Sequence, residues 1–308
     1  MRESAFIDSL RALATHPAAR GLADDAAVLD IGGRTLVLTH DMLVEGVHYL
    51  PGDPPGDVAW KLLAVNLSDL AAKGARPVGV LLGYSLGESG WDEAFVAGLG
   101  VALTAFGIPL LGGDTVQGNG PRTLALTALG EADGPVPSRG GGGAGDHLWV
   151  SGTIGDSGAG LRGLGEALVE RYRNPRPRLE AGRKLAPWVT AMMDVSDGLL
   201  IDSARLADAS GVAAEIDLAS IPLSEALLAS LGDGREVRLA AATAGDDYEL
   251  LFAAPPHRTV EILALQDEIG LPFSRIGALA GGSGLHLSEA GEAVPTPRRL
   301  GWEHRQSG

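Results

Sequence analysis

The sequence predicts a mixed protein, α+β or α/β, built as two domains. Three observations lead there. Strand-like and helix-like stretches follow one another in mixed order, so no all-helical or all-strand reading fits. At 308 residues the chain is long enough for about two domains. Its composition breaks once, at the Gly- and Pro-rich run from Glu131 to Asp146, which contains Ser138-Arg139-Gly140-Gly141-Gly142-Gly143. The expected division is 1–135 and 136–308.

Taken in order, Phe6, Ile7, Leu10, Leu13 and Ala14 predict an opening helix. Gly21 to Asp25 forms a turn with two acids. Ala26–Asp30 and Thr35–Thr39 predict a hairpin closed by Gly32-Gly33, the second strand running into His40-Asp41. Asp57 to Gly74 is the organising helix: Trp60, Leu63, Ala64, Leu67 and Leu70 recur at helical spacing, with Asp57 as cap and Gly74 and Pro77 as stop. Asn66 and Asp69 interrupt its apolar character, and an Asp69–Lys73 pair fits one turn further on. Val78–Leu86 reads as a buried strand, Trp91 to Phe106 as a helix stopped by Gly107, and Ile108–Leu111 as a short strand ending in Gly112-Gly113-Asp114-Thr115. Arg122–Gly130 alternates like a strand. After the break, His147–Val150 leads into the glycine run Gly152 to Gly160, with helices from about Ser157 and from Leu179. Ala191–Met193 is a strand ending in Asp194-Val195-Ser196-Asp197, Asp197 being placed to cap the next helix. Val212–Leu218, Tyr248–Ala253 and Phe273–Ile276 read as strands with helices between.

Composition excludes several classes. There is no cysteine, hence no disulfide, thiolate metal site or cysteine nucleophile. The formal charge of −15 argues against non-specific binding to nucleic acid or anionic membranes. Met1-Arg2-Glu3-Ser4 does not open a signal peptide and no stretch is apolar enough to span a bilayer, so a cytoplasmic protein is expected.

Asp25, Asp41, Asp69, Asp114 and the pair Asp194/Asp197 share a setting of turns, strand ends and small neighbours. Each alone reads as a cap or turn residue. Together they pose a charge problem, since two unit charges ~4 Å apart repel by roughly 4 kcal/mol at an effective dielectric near 20. Arg and Lys are scarce beside them in sequence. Hard divalent cations such as Mg²⁺, shared between carboxylates and phosphates, answer it. The glycine run at 152–160 reads either as a phosphate cradle or as a tight strand-to-helix turn. No Gly-Lys-Ser/Thr follows it and the protein-kinase signature is missing, so a kinase here belongs to neither of those classes.

The motifs Asp24-Asp25, Thr39-His40-Asp41, Asn66-Leu67-Ser68-Asp69-Leu70-Ala71-Ala72, Gly112-Gly113-Asp114-Thr115, Gly152–Gly160, Asp194-Val195-Ser196-Asp197-Gly198-Leu199 and Gly245-Asp246-Asp247-Tyr248-Glu249-Leu250 stand in this order from about Gly21 to Trp302. In that set the chain resembles the thiamine-monophosphate kinases, of the aminoimidazole-ribonucleotide-synthetase-like superfamily. The resemblance implies phosphorylation of thiamine monophosphate to thiamine diphosphate by ATP. It also implies a homodimer in which the N-terminal sheets of two copies form a β-barrel, and a C-terminal α/β domain. Carried over by position, it implies Asp25, Asp41, Asp69, Asp114, Asp194 and Asp197 as ligands of several Mg²⁺ ions, with Thr39 and His40 adding contacts. Asp41, Asp69 and Asp114 form the expected catalytic cradle. Gly113, Asp114, Arg139 and Ser196 fall at ATP contacts, and His48, Asp246 and Trp302 at the thiamine end. Ala23 replaces a usual Gly, His40 a usual small hydroxyl residue, and Asp246 a usual Glu. No general base is required, because the acceptor phosphate oxygen is already anionic. The rivals are an ATP-dependent synthetase of the same superfamily, such as aminoimidazole ribonucleotide synthetase, and a non-catalytic metal- or nucleotide-binding module.

Overall fold

The computed structural model describes residues 3–118 and 120–303; Met1 and Arg2, part of the leader expectation, lie outside them. Helix α1 (Glu3–Arg11) precedes a hairpin of β1 (Ala27–Ile31) and β2 (Arg34–Val44). Helix α2 (Pro55–Ala72), β3 (Arg76–Leu86), α3 (Ser89–Phe106), β4 (Leu110–Gln117) and β5 (Thr123–Ala132) complete the first half. Its five-stranded sheet has the order β1-β2-β5-β3-β4, antiparallel except for the parallel pair β3–β4.

The second half begins with β6 (His147–Ser151), three helices, α4 (Asp156–Leu161), α5 (Glu166–Arg173) and α6 (Leu179–Leu185), and β7 (Ala191–Asp194). It continues with α7 (Leu199–Ser210), β8 (Ala213–Asp217), α8 (Glu225–Leu231), α9 (Arg235–Ala242) and β9 (Leu250–Ala254). Helix α10 (Thr259–Ile269), β10 (Phe273–Ala280), β11 (Gly284–Glu289) and β12 (Glu292–Val294) close the chain. Its seven-stranded sheet runs β12-β11-β8-β10-β6-β9-β7, mixed because β8 and β11 are parallel. The mixed two-sheet architecture is the one the sequence predicts. Among the described residues no helix is long and apolar enough to cross a membrane.

Several strands run further than expected, among them β10, which continues past Ile276 to Ala280, and two that bear on the site. β2 continues through His40 and Asp41 to Val44 because β5 pairs with it along the whole length. β4 likewise continues through Gly112–Thr115, held by β3 on one side.

Helix α2 is central. Thirteen of its eighteen residues are buried, so it is enclosed by the first sheet on one side and by the second half on the other. An alanine- and leucine-rich helix suits this, because short side chains permit close approach on every face. It crosses α3 where Gly56 faces Gly98; a Cβ on Gly98 would overlap the Gly56 backbone. Ala71 and Ala72 belong to the apolar cluster of Met192, Leu250 and Phe252 in the second half. The N-cap is Pro54 rather than Asp57, which lies inside the first turn. Gly74, at φ 62°, takes the left-handed conformation that ends the helix.

Candidate functional site

Residues Ser68 and Asp69 of α2 lie where the helix leaves the first sheet and meets β7. Asp69 faces β2: the Thr39 hydroxyl donates to its carboxylate, and Thr39 Oγ1 is also 3.4 Å from the Asp25 carbonyl. Asn66, one turn earlier, accepts from the Asp41 amide at 2.9 Å and donates to the Leu62 carbonyl at 2.9 Å. Asn66 thus ties the backbone of β2 to α2, and the polar break in the helix is explained. Ser68 donates to Asp194 at 2.6 Å. Asp194 ends β7, so the second half delivers its acid to the same place.

One carboxylate oxygen from each of Asp25, Asp69 and Asp194 lies within 4.8 Å of the others. Burial, followed by the charges of Asp25 and Asp197, pushes the Asp41 carboxyl up to about 6. Burial and the neighbouring acids raise Asp69 and Asp194 well above the usual carboxylate range. Asp25, Asp41, Asp69, Asp194 and Asp197 therefore form one electrostatic group.

The cations around this group differ from expectation. Lys73 is fully buried and pairs with Asp24 at 2.5 Å and Asp25 at 2.7 Å, not with Asp69. Arg139 binds Asp25, Arg20 binds Asp24 at 2.6 Å, and Arg205 binds Asp197 at 2.5 Å. Lys73 and Arg139 come from distant parts of the sequence, which the local scarcity of Lys and Arg did not reveal, while Arg20 and Arg205 lie only four and eight residues from their acids. Against the cost of burial, Lys73 and Arg20 hold Asp24 down to about 2. Among the described residues no Lys or Arg lies within ion-pair distance of Asp41, Asp69 or Asp194. The inner acids keep their charge problem. Asp25 Oδ2, near Lys73, is buried and aligned with no hydrogen-bond donor. Three clustered carboxylates, one with an unaligned oxygen, fit a hard divalent cation.

The substrate-end candidates gather on the far side of Ser196 and Asp197. Asp246 donates its amide to the Ser196 carbonyl at 2.7 Å, and Trp302 donates its amide to the Asp197 carbonyl at 2.8 Å. Lys61 of α2 links Asp246 (2.7 Å) to the His48 carbonyl (3.1 Å). His48 Nδ1 accepts from the Val44 amide at 3.0 Å, fixing its loop to the end of β2. His48, Asp246, Ser196 and Trp302 are thus joined by a short chain of contacts, and Arg139 stands at the acid cluster.

Asp114, Gly113 and His40 are placed elsewhere. The register runs Asp41–Leu126–Leu82–Gly113 across the sheet, while Asp114 lies in the row of Gly83, Ala125 and Met42. Asp114 is three strands from β2, about 14 Å at the usual strand spacing, on the face opposite Asp41. Within one chain it does not join the cluster. His40, also on that outer face, bonds Thr127 Oγ1 at 2.8 Å.

The glycine run at 152–160 resolves as a tight turn. The Gly155 amide is taken by the Asp247 carboxylate at 2.9 Å. A Cβ on Gly155 or Gly158 would overlap Ala241 or Ala244. Asp197 is not the cap of α7; Asp202, buried inside that helix, instead accepts from the Asp197 amide at 3.1 Å and the Gly198 amide at 3.2 Å.

Sequence reasoning passed over Lys61 and Asp202, gave Glu249 no role, and paired Lys73 with Asp69 where it holds Asp24 and Asp25. Glu249 is fully buried and holds Arg171 at 2.8 Å, Arg178 and Ser151 at 2.6 Å. The available signal was a Lys in each half of an otherwise apolar helix, and the run of three acids among Asp246, Asp247 and Glu249.

Comparison with known proteins shows the family. Residues 23–132 match the family model for the N-terminal domain of AIR synthase related proteins, and residues 143–288 that for the C-terminal domain. The chain is 42% identical over 304 residues to a thiamine-monophosphate kinase of Caulobacter vibrioides, covering 94% of this chain and 86% of the relative. Among solved structures, AaThiL complexed with AMPPCP and TMP superposes with a TM-score of 0.86 at 31% identity, over 99% of this chain and 97% of that one. The thiamine-monophosphate kinase of Stenotrophomonas maltophilia K279a gives 0.79 at 40% identity, over 93% and 95%.

Proposed function

Since the chain belongs to the thiamine-monophosphate kinases of the AIR synthase related family, we propose that its interdomain acid cluster is where ATP phosphorylates thiamine monophosphate. The enzyme transfers the γ-phosphoryl group of ATP to the phosphate of thiamine monophosphate, giving thiamine diphosphate and ADP. The observation that carries the placement is the convergence of Asp25, Asp69 and Asp194, with no cation on the last two.

Mg²⁺ fits this donor set, held by Asp25, Asp41, Asp69, Asp194 and Asp197 with Thr39 beside them, and when bound it supplies neutralisation of phosphate charge. The chain's own residues do the rest. Asn66 fixes the β2 backbone so that Asp41 and Asp69 point to one place. Ser68 orients Asp194. Arg139, held at Asp25, is positioned to meet nucleotide phosphate together with the Ser196 segment. No side chain needs to remove a proton, because the attacking oxygen belongs to an ionised phosphate. Catalysis is then alignment and electrostatic preorganisation. His48, Asp246 and Trp302 hold the thiamine end.

We further propose a homodimer in which the outer face of the first sheet is covered by a second copy. The support is exposure: β4 is exposed along its whole length, and Met42, Leu81, Leu111 and Val116 present apolar surface there. Asp114 and His40 would act as nucleotide and metal contacts from that covered face, and Gly113, in the row of Asp41, as a nucleotide contact from the opposite one. The division at 135/136 and a cytoplasmic setting belong to the same reading.

The test is ADP release with ATP and Mg²⁺, with and without thiamine monophosphate, alongside chromatographic detection of thiamine diphosphate. Release that depends on thiamine monophosphate and stops with chelator is expected. Release without thiamine diphosphate, or no release, would contradict the reading; ADP made only with a synthetase's own substrate would then favour a synthetase, and none with either substrate a binding module.

A further inference from the structure

Lys61 is a buried lysine on the organising helix, 2% exposed, with no part in phosphate chemistry as described above. Its ammonium has three protons and three acceptors around it. Asp246 Oδ2 lies at 2.7 Å, the His48 carbonyl at 3.1 Å and the centre of the Tyr172 ring at 4.1 Å. Tyr172 is itself fixed by its hydroxyl to the buried Asp53 at 3.0 Å. With its protons spoken for and its side chain enclosed, the ammonium is not free to touch a substrate.

What it holds is unusual. Asp246 adopts φ 63° and Tyr248 φ 51°, left-handed conformations uncommon outside glycine. Such backbone persists where the surroundings over-determine it. Here the Asp246 and Tyr248 amides bond the Ser196 and Val195 carbonyls, Asp247 is tied to the Gly155 amide, and Glu249 to Arg171 and Arg178. The result aims Asp246 across the interdomain seam at Lys61. The Tyr248 hydroxyl donates to its other oxygen at 2.9 Å. Asp246 is still partly exposed, with 34% of its side chain accessible.

We infer that Lys61 is a positioning residue for substrate specificity: its ammonium sets Asp246 and the His48 loop relative to each other, and so shapes the thiamine end of the site. This rests on the kinase reading for the identity of the ligand. It assigns to α2 a second task. Lys61 and Ser68 are seven residues apart, so they share a helix face about 10 Å apart along the axis. One rigid helix thereby spaces the substrate end from the acid cluster.

The test is Lys61→Met, which keeps the stem and removes the charge, with Asp246→Asn and the double variant. Affinity for thiamine monophosphate is measured by calorimetry alongside both KM values. Lys61→Met is expected to weaken thiamine monophosphate by about 10- to 100-fold, the range of a charge-assisted hydrogen bond, with KM for ATP unchanged. The double variant should lose clearly less than the product of the two single losses, because Lys61 acts in part through Asp246. Unchanged affinity, equal losses for both substrates, or effects that multiply in the double variant would overturn the inference. If Lys61→Met fails to fold, Lys61→Arg keeps the charge and changes its geometry. A normal thiamine monophosphate affinity in that variant also overturns it. A wild-type protein that binds thiamine monophosphate without phosphorylating it counts against the kinase reading alone, since affinity still tests the positioning role.

Discussion

Ser68 donates a 2.6 Å hydrogen bond to Asp194, joining a fully buried hydroxyl on α2 to an acid at the end of β7. The next residue on the helix, Asp69, contributes its carboxylate to the same cluster. The bond fixes the rotamer of an acid whose position depends on both halves of the chain. Ser68→Ala is therefore expected to weaken the apparent Mg²⁺ affinity by about 10- to 100-fold, as for other partners of metal-binding carboxylates. A Mg²⁺ titration of kcat/KM reads this directly; an unchanged midpoint would make the hydroxyl a packing group.

Lys73 is fully buried between Asp24 and Asp25. Lys73→Met leaves two buried carboxylates short of their shared cation, and breaking such a pair costs about 3–5 kcal/mol. Denaturant unfolding in chelator should show a loss of that order, partly recovered by Mg²⁺. A variant as stable as its parent without metal would contradict the role of Lys73 as resident counter-ion.

The pH dependence of the metal-free protein follows from the raised acids. Asp41, raised to about 6, binds its proton more tightly folded than unfolded, where the ordinary value is 3.8. Asp69 and Asp194 are raised in the same direction. Their stabilising contribution is full below 3.8 and is lost as pH rises through about 6 and above. Asp24, lowered to about 2, acts oppositely but only below 3.8. The Tm in chelator should fall between about pH 5 and pH 7.5, and Mg²⁺ should flatten the slope. A Tm rising over that window would contradict the assignment.

Trp302 keeps 41% of its surface exposed and hangs from the Asp197 carbonyl. An aromatic face over a cationic ring contributes roughly 0.5–2 kcal/mol, so Trp302→Ala should raise KM for thiamine monophosphate by about three- to thirtyfold. KM for ATP should not move. A lower Tm with both KM values intact would make Trp302 a packing residue.

Much of this was legible in the chain, for physical reasons. α2 declared itself by its 3.6-residue period, and β1–β2 by alternation around Gly32-Gly33. The acids stood out because each lay in a turn, followed a strand or broke an apolar run. What stayed hidden was pairing at long range: Lys73 with Asp24, Arg139 with Asp25 and Lys61 with Asp246 are separated by 49, 114 and 185 residues. The true strand ends were hidden for a related reason, since β2 and β4 are extended by their neighbours and not by their own composition. The face on which Asp114 falls depends on register across three pairings, which spacing along one strand cannot supply.

Asp69→Asn tests the central claim most directly. Asp69 sits between Thr39 and the carboxylates of Asp25 and Asp194, and the amide keeps its shape while removing one charge. The account predicts a folded protein, as stable as its parent or more so in chelator because repulsion falls, that no longer makes thiamine diphosphate from thiamine monophosphate and Mg-ATP. A folded Asp69→Asn protein with near-normal kcat would contradict it.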